Sequence, residues 1–150
     1  MNVTTTRFGV VEVSERKVLY FPSGIIGFPD CRRYVILDHD TDIPLKWLQA
    51  VDRADLAFPI AAPEDVVEQY TVTIPPADLA ALEAVPSGDM VTFVILSIPR
   101  GAPDRTTANL RAPVVVNPAT RVGRQVLVLE DLPVRYALSE GRPAAVECAR

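Results

Sequence analysis

Runs in which apolar and polar residues alternate, each cut short by proline, glycine or a charged turn, fill most of this chain and predict short strands joined by tight connections. RFGVVEV (7–13) and RKVLYF (16–21) are separated only by Ser14 and Glu15, a gap that predicts an antiparallel hairpin. RRYVIL (32–37) reads as the next strand, and LKWLQAV (45–51) and LAFPIA (56–61) flank the polar tetrapeptide Asp52-Arg53-Ala54-Asp55, which predicts a second hairpin. In YTVTI (70–74), Tyr70, Val72 and Ile74 alternate with threonines, the period of a half-buried strand. Residues 90–98 are apolar on both faces apart from Thr92 and Ser97 and predict a central strand; APVVVN and GRQVLVL, around Val115 and Val126, complete the set. One helix interrupts them. Residues 76–83 offer proline in the first turn, Asp78 near the positive end of the helix dipole, and Leu79 with Leu82 on one side, which predicts a plug for one end of a barrel.

The segment FPSGIIGFPD (21–30) breaks this rhythm and carries no side chain suited to covalent chemistry. Pro22 fixes its own φ, and Gly24 and Gly27 permit left-handed backbone, so Phe21, Pro22, Gly24 and Gly27 read as architecture. Asn109, Pro113 and Asn117 are assigned the same role, because asparagine can satisfy turn backbone with its own amide.

At 150 residues with 49% hydrophobic and 23% charged positions, the chain has the profile of one packed domain. Its 14 prolines exclude a fold of long helices. The net charge of −4 comes entirely from residues 1–75, where acids number 11 against 7 bases. Without a basic stripe, direct binding of nucleic acid is not expected, since phosphate neutralisation supplies most of that affinity. No charged start leads into an apolar core and no run is long enough to span a bilayer, so a cytoplasmic protein is expected, with no membrane partner. Cys31 and Cys148 lack CxxC spacing and read as reduced thiols in preference to a disulfide.

The candidate chemistry is thin. His39, the one histidine, sits between Asp38 and Asp40 in a predicted loop, which fits an exposed residue better than a catalytic one. Asp38, Asp40 and Asp42 open like a calcium loop, but Ile43 stands where that motif needs glycine and Gln49 where it needs glutamate, so neither sharp turn nor bidentate ligand is available. No glycine-rich phosphate cradle occurs. Trp47, between Leu45 and Leu48, reads as core in preference to an exposed anchor.

Taken in order, RFGVVEV with FPSGIIGFPD, WLQAVDRADLAF (47–58), and TTANLRAPVVVN (106–117) with GRQVLVL resemble the flagellar assembly factor FliW family across residues 4–138. The family ends in a Tyr-x-x-Arg-His-like pattern where this chain reads PVRYAL (133–138). The resemblance implies an all-β fold, a small antiparallel β pseudo-barrel with one short helix capping an end, over residues 1–138, with 139–150 as a flexible tail. It implies no enzyme and no cofactor. The partners implied are flagellin and the RNA-binding carbon storage regulator CsrA, whose repression of flagellin translation the family relieves allosterically until newly made flagellin competes for the factor.

Two contact surfaces are expected on that basis. Asp38, Asp40, Asp42, Asp52 and Asp55 would face a cationic CsrA and repel RNA, or else form a solvated loop. Ile25, Ile26 and Phe28 would line an apolar groove for flagellin, or else pack the barrel end. Trp47 and Gln49 belong to the shared motif, with no separate role. The alternative from another class is a flavin-reductase-like barrel, a fold type that hosts flavins at subunit boundaries, although the chain offers it no phosphate site.

Overall fold

A computed structural model of the chain describes residues 1–38, 45–83 and 89–138. Ten strands follow one another: β1 (Asn2–Thr5), β2 (Gly9–Glu12), β3 (Leu19–Tyr20), β4 (Arg33–Asp38), β5 (Lys46–Ala50), β6 (Ala57–Ala61), β7 (Val91–Ser97), β8 (Thr107–Asn117), β9 (Val122–Gln125) and β10 (Tyr136–Ala137). An α-helix, α1 (Pro76–Ala81), precedes β7. The main sheet runs β10-β8-β7-β6-β5-β4-β3-β9, and β9 pairs back onto β8, so β3 to β9 close into a seven-stranded barrel. All its pairings are antiparallel except β3 with β9, which meet in parallel through Tyr20 and Val122. Closure leaves the ring without a free edge along most of its length, the usual defence against edge-to-edge association.

β8 performs the closure because it bends. Its partners on β7 jump from Asn109 to Val114 while β7 advances only from Ile95 to Phe93. The extra residues are held by Asn109, whose Oδ1 accepts the Arg111 and Ala112 N–H groups at 3.1 and 3.0 Å. Pro113 has no N–H to leave orphaned there, yet its carbonyl accepts from Val126. The 126–129 stretch, expected to continue as a strand, keeps these one-way bonds to Pro113 and Arg111 but falls outside β9, since the bulge cannot return them.

Both faces of the wall are buried. Phe21, Tyr34, Leu48, Ala50, Ile60, Val114 and Val116 fill the interior, with Phe58, Phe93 and Ile95 packed against them. The alternate residues Val35, Leu37, Trp47, Val94, Leu96 and Ala108 point outward and are covered by Val3 and Val11 of the β1–β2 hairpin, by Val66 and by Leu132. Trp47 is therefore core, as its flanking leucines suggested, and Arg7 lies 3.9 Å over its ring.

Three local expectations are revised. β2 turns back on β1, not onto β3: Gly9 sits at φ +70, Thr5 Oγ1 donates to its carbonyl, and Ser14 starts a 3-10 turn over Glu15–Lys17 that separates β2 from β3. Residues 70–74 keep their alternation, with Tyr70, Val72 and Ile74 half-buried, but are extended without a ladder. Leu79 is exposed, whereas Leu82 is fully buried against Val115 and Val126. Because Val114 and Val116 face the interior, Val115 faces out, and the helix rests on the outer wall at the β8–β9 seam. Asn117 secures it there by donating from Nδ2 to the Leu82 and Glu83 carbonyls.

Candidate functional site

The FPSGIIGFPD segment folds as a knot of short turns beside β9. Phe21 is fully buried, meeting Tyr34 edge-on at 5.1 Å, and its N–H donates to the Arg32 carbonyl. Gly24 donates to the Phe21 carbonyl and Phe28 to the Ile25 carbonyl, which folds Ile25 into the core. Gly24 adopts φ +66 and Gly27 φ +93. Ile25, expected as a contact residue, is only 2% exposed, so packing is its role: the turn directs its side chain under the loop. Phe28 is half-buried against Phe58, with the Arg53 guanidinium 5.7 Å above its ring. Ile26 alone of the three is well exposed, at 62%.

Ile26 does not stand alone. Its N–H donates to Gln125 Oε1 at 2.9 Å, and Gln125 Nε2 donates to the Ala112 carbonyl, so one amide ties the loop to β8 across the end of β9. Beyond Gln125 the chain alternates: Val126 and Val128 are buried, while Leu127 and Leu129 are 59% and 66% exposed. Arg124 fixes the same corner by donating from Nε to Asp78 of α1 and from an Nη to Ser23 Oγ. Three exposed aliphatic residues, Ile26, Leu127 and Leu129, thus border this hydrogen-bonded frame. Sequence reasoning named only Ile26; the Val-Leu-Val-Leu alternation after Gln125 was the available signal for the other two.

The acidic candidates lie elsewhere. Asp38 is bound to Lys46 across the β4–β5 ladder, Asp52 to Arg33, and Asp55 to Arg53. The Lys46 ammonium holds the Asp38 carboxyl below its ordinary pKa, and the Arg53 guanidinium does the same for Asp55. All three are exposed, and each already has a cation beside it. Asp40, Asp42 and His39 lie outside the described residues, as does Cys148; Cys31 is a half-buried free thiol. Among the described residues no group of three or more His, Cys, Asp or Glu is placed to hold a metal ion.

The motif residues prove to be fasteners. Gln49, fully buried, donates from Nε2 toward the carbonyls of Ala50, Arg53, Ala54 and Leu56, which pins the 51–56 connection that joins β5 to β6. Asn109 holds the β8 bend and Asn117 the helix end, as described above.

A family model described as FliW protein matches residues 2–138. The flagellar assembly factor FliW of Natranaerobius thermophilus is 36% identical over 128 residues, covering 85% of each chain. That of Bdellovibrio bacteriovorus is 41% identical over 131 residues, 87% of this chain and 74% of the relative. That of Thermotoga maritima is 33% identical over 139 residues, 92% and 93% of the two chains. A crystal structure of the flagellar assembly factor FliW superposes with a TM-score of 0.84 at 29% identity, covering 92% of this chain and 96% of that one.

Proposed function

Since this chain belongs to the FliW family of flagellar assembly factors, we propose that it acts as a non-catalytic cytoplasmic adaptor that binds flagellin and the translational regulator CsrA, one partner displacing the other. The observation that carries this reading is the exposure of Ile26, Leu127 and Leu129 around the frame in which Gln125 and Arg124 fix the 23–26 loop. Side chains of this kind gain roughly 1.5–3 kcal/mol each when fully covered. They match an apolar helical partner such as the ends of flagellin. The barrel itself is filled with packed side chains, so its exterior is the available working surface.

CsrA is assigned to the opposite kind of surface, the exposed carboxylates Asp38 at one end of the β4–β5 ladder and Asp52 and Asp55 at the other. Because each carboxylate already has a basic neighbour, steering there depends on exchanging one cation for another and is modest. The experiment is titration calorimetry of the full chain against flagellin and against CsrA, with Leu127→Ser and Ile26→Asp as variants. Flagellin affinity is expected to fall about tenfold or more, a loss of about 1.4 kcal/mol, at unchanged melting temperature. Undiminished flagellin binding by both folded variants removes this surface assignment, and binding of neither protein by the parent chain removes the adaptor reading.

A further inference from the structure

A groove of about 640 Å³ lies between residues 70–74 on one lip and residues 90–93 on the other. Its shape follows from where β6 stops. β6 pairs with β7 only through Ile60 with Ile95 and Ala61 with Val94. Pro59 has no N–H to give across from Trp47, so its neighbours Phe58 and Ile60 bond to β5, and Ala61 is turned toward β7. The backbone groups of Val94 therefore point at β6, and two residues earlier those of Thr92 point the same way. Those of Val94 meet Ala61, and no described residue receives those of Thr92. After Ala61 the chain leaves the sheet in a 3-10 turn begun by Pro63, which has no N–H and whose carbonyl is taken by Val66 and Val67.

The other lip is also a strand edge. Thr73 donates its N–H to Glu130 Oε1 and accepts from the Leu129 N–H, so its backbone groups face residues 129–130. Those of Val72 and Ile74, which line the groove, face into it. Residues 70–74 thus carry the side-chain alternation of a strand, and two edges border the space between them with no described backbone partner. The described lining includes Glu64 and Glu68 and no Lys or Arg, with Val72, Ile74, Met90 and Phe93 as apolar contacts.

We propose that this slot is a docking site for an extended segment of a partner protein that adds as a strand between Val72 and Thr92, its residues alternating between β-branched and basic side chains. Backbone bonds from both lips supply affinity, and the Glu68 carboxylate selects positive charge. The site is separate from Ile26, Leu127 and Leu129 and stands whether or not flagellin and CsrA are the partners.

The test selects binders from a randomised displayed peptide library on the full chain, then follows amide exchange with the synthesised winners. Expected are alternating sequences rich in Val, Ile, Lys and Arg that slow exchange at Val72 and Thr92 by about tenfold or more. Val72→Pro removes an N–H that has no bond among the described residues, so it is expected to abolish peptide binding at an unchanged melting temperature. Glu68→Lys is expected to shift selection toward acidic peptides. No binder, binders indifferent to both substitutions, or a Val72→Pro chain that melts many degrees lower would overturn the proposal. So would a chain ending at Leu138 in which the two amides of the free protein exchange faster than in the full chain, which would make residues 139–150 the occupant, or protection that appears only as the chain dimerises.

Discussion

Gly24 and Gly27 look interchangeable in FPSGIIGFPD, and the structure makes them unequal. A Cβ on Gly24 would stand 2.3 Å from the Phe28 carbonyl oxygen and 2.7 Å from Pro29 Cα, both backbone atoms, at a φ of +66. A Cβ on Gly27 would meet nothing within 4 Å, leaving only the cost of φ +93. Gly24→Val is therefore expected to lose about 3 kcal/mol or more, and Gly27→Ala about 1 kcal/mol, in urea unfolding; equal losses would refute the backbone clash. The sequence shows where glycines are needed, because they sit between a strand and a proline. It does not show which one the chain returns upon, since that depends on the Ile25–Phe28 turn bringing a carbonyl back. Gln49 teaches the same lesson. Its motif position is visible, but its donation to carbonyls of the following connection exists only once residues 50–56 have folded around it. Gln49→Leu keeps the volume and removes the donor, with an expected cost of about 2 kcal/mol.

Strands were legible wherever one alternating run met another directly, as in β4, β5, β6 and β7, because side-chain period fixes which face is inward. Partners were less so. The β1–β2 pairing was missed because residues 2–5 are too short to announce a strand, and Ser14 looks like a hairpin turn although it caps a 3-10 one. Residues 70–74 read correctly by period, but their described backbone bonds lie on one side only, where Thr73 meets Leu129 and Glu130. Glu130 accepts from both the N–H and the hydroxyl of Thr73, and these bonds hold its carboxyl below the ordinary value of 4.5. A carboxylate whose pKa is lowered by folding stabilises above its unfolded pKa and ceases to do so as pH falls through the folded one. Protection of the Thr73 amide, relative to its intrinsic exchange rate at each pH, is accordingly expected to fall below about pH 4.5 while β5 and β7 stay protected. Glu130→Gln, which keeps an acceptor but cannot titrate, is expected to flatten that dependence; an unaltered profile would place the acid sensitivity elsewhere.

Across the molecule, counting charges overstates the field. The acidic excess of residues 1–75 is real, yet Asp38, Asp52 and Asp55 each sit beside Lys46, Arg33 or Arg53, so the potential they project is weaker than the sequence suggests. On the alkaline side the barrel has two buried neutral groups that respond to pH. Tyr34 is fully buried in the interior between Phe21 and Phe58, and burial pushes its pKa up to about 12. Tyr70 donates its hydroxyl to the Leu110 carbonyl at 2.6 Å, and burial, aided by the Glu130 charge, raises it to about 12 as well. An unfolded chain ionises both near 10.0. Groups raised by folding lend stability below the unfolded value and lose it as pH climbs toward the folded one, so the barrel is expected to weaken between about pH 10 and 12. In an ultraviolet titration Tyr34 and Tyr70 should ionise only as the far-ultraviolet circular dichroism collapses. Tyr70→Phe is expected to cost about 1 kcal/mol at neutral pH through the orphaned Leu110 carbonyl, while removing part of the alkaline slope. If Tyr34 titrates near 10.0 with the dichroism intact, then water reaches the interior, and the sealed seven-stranded ring is not what holds that phenol neutral.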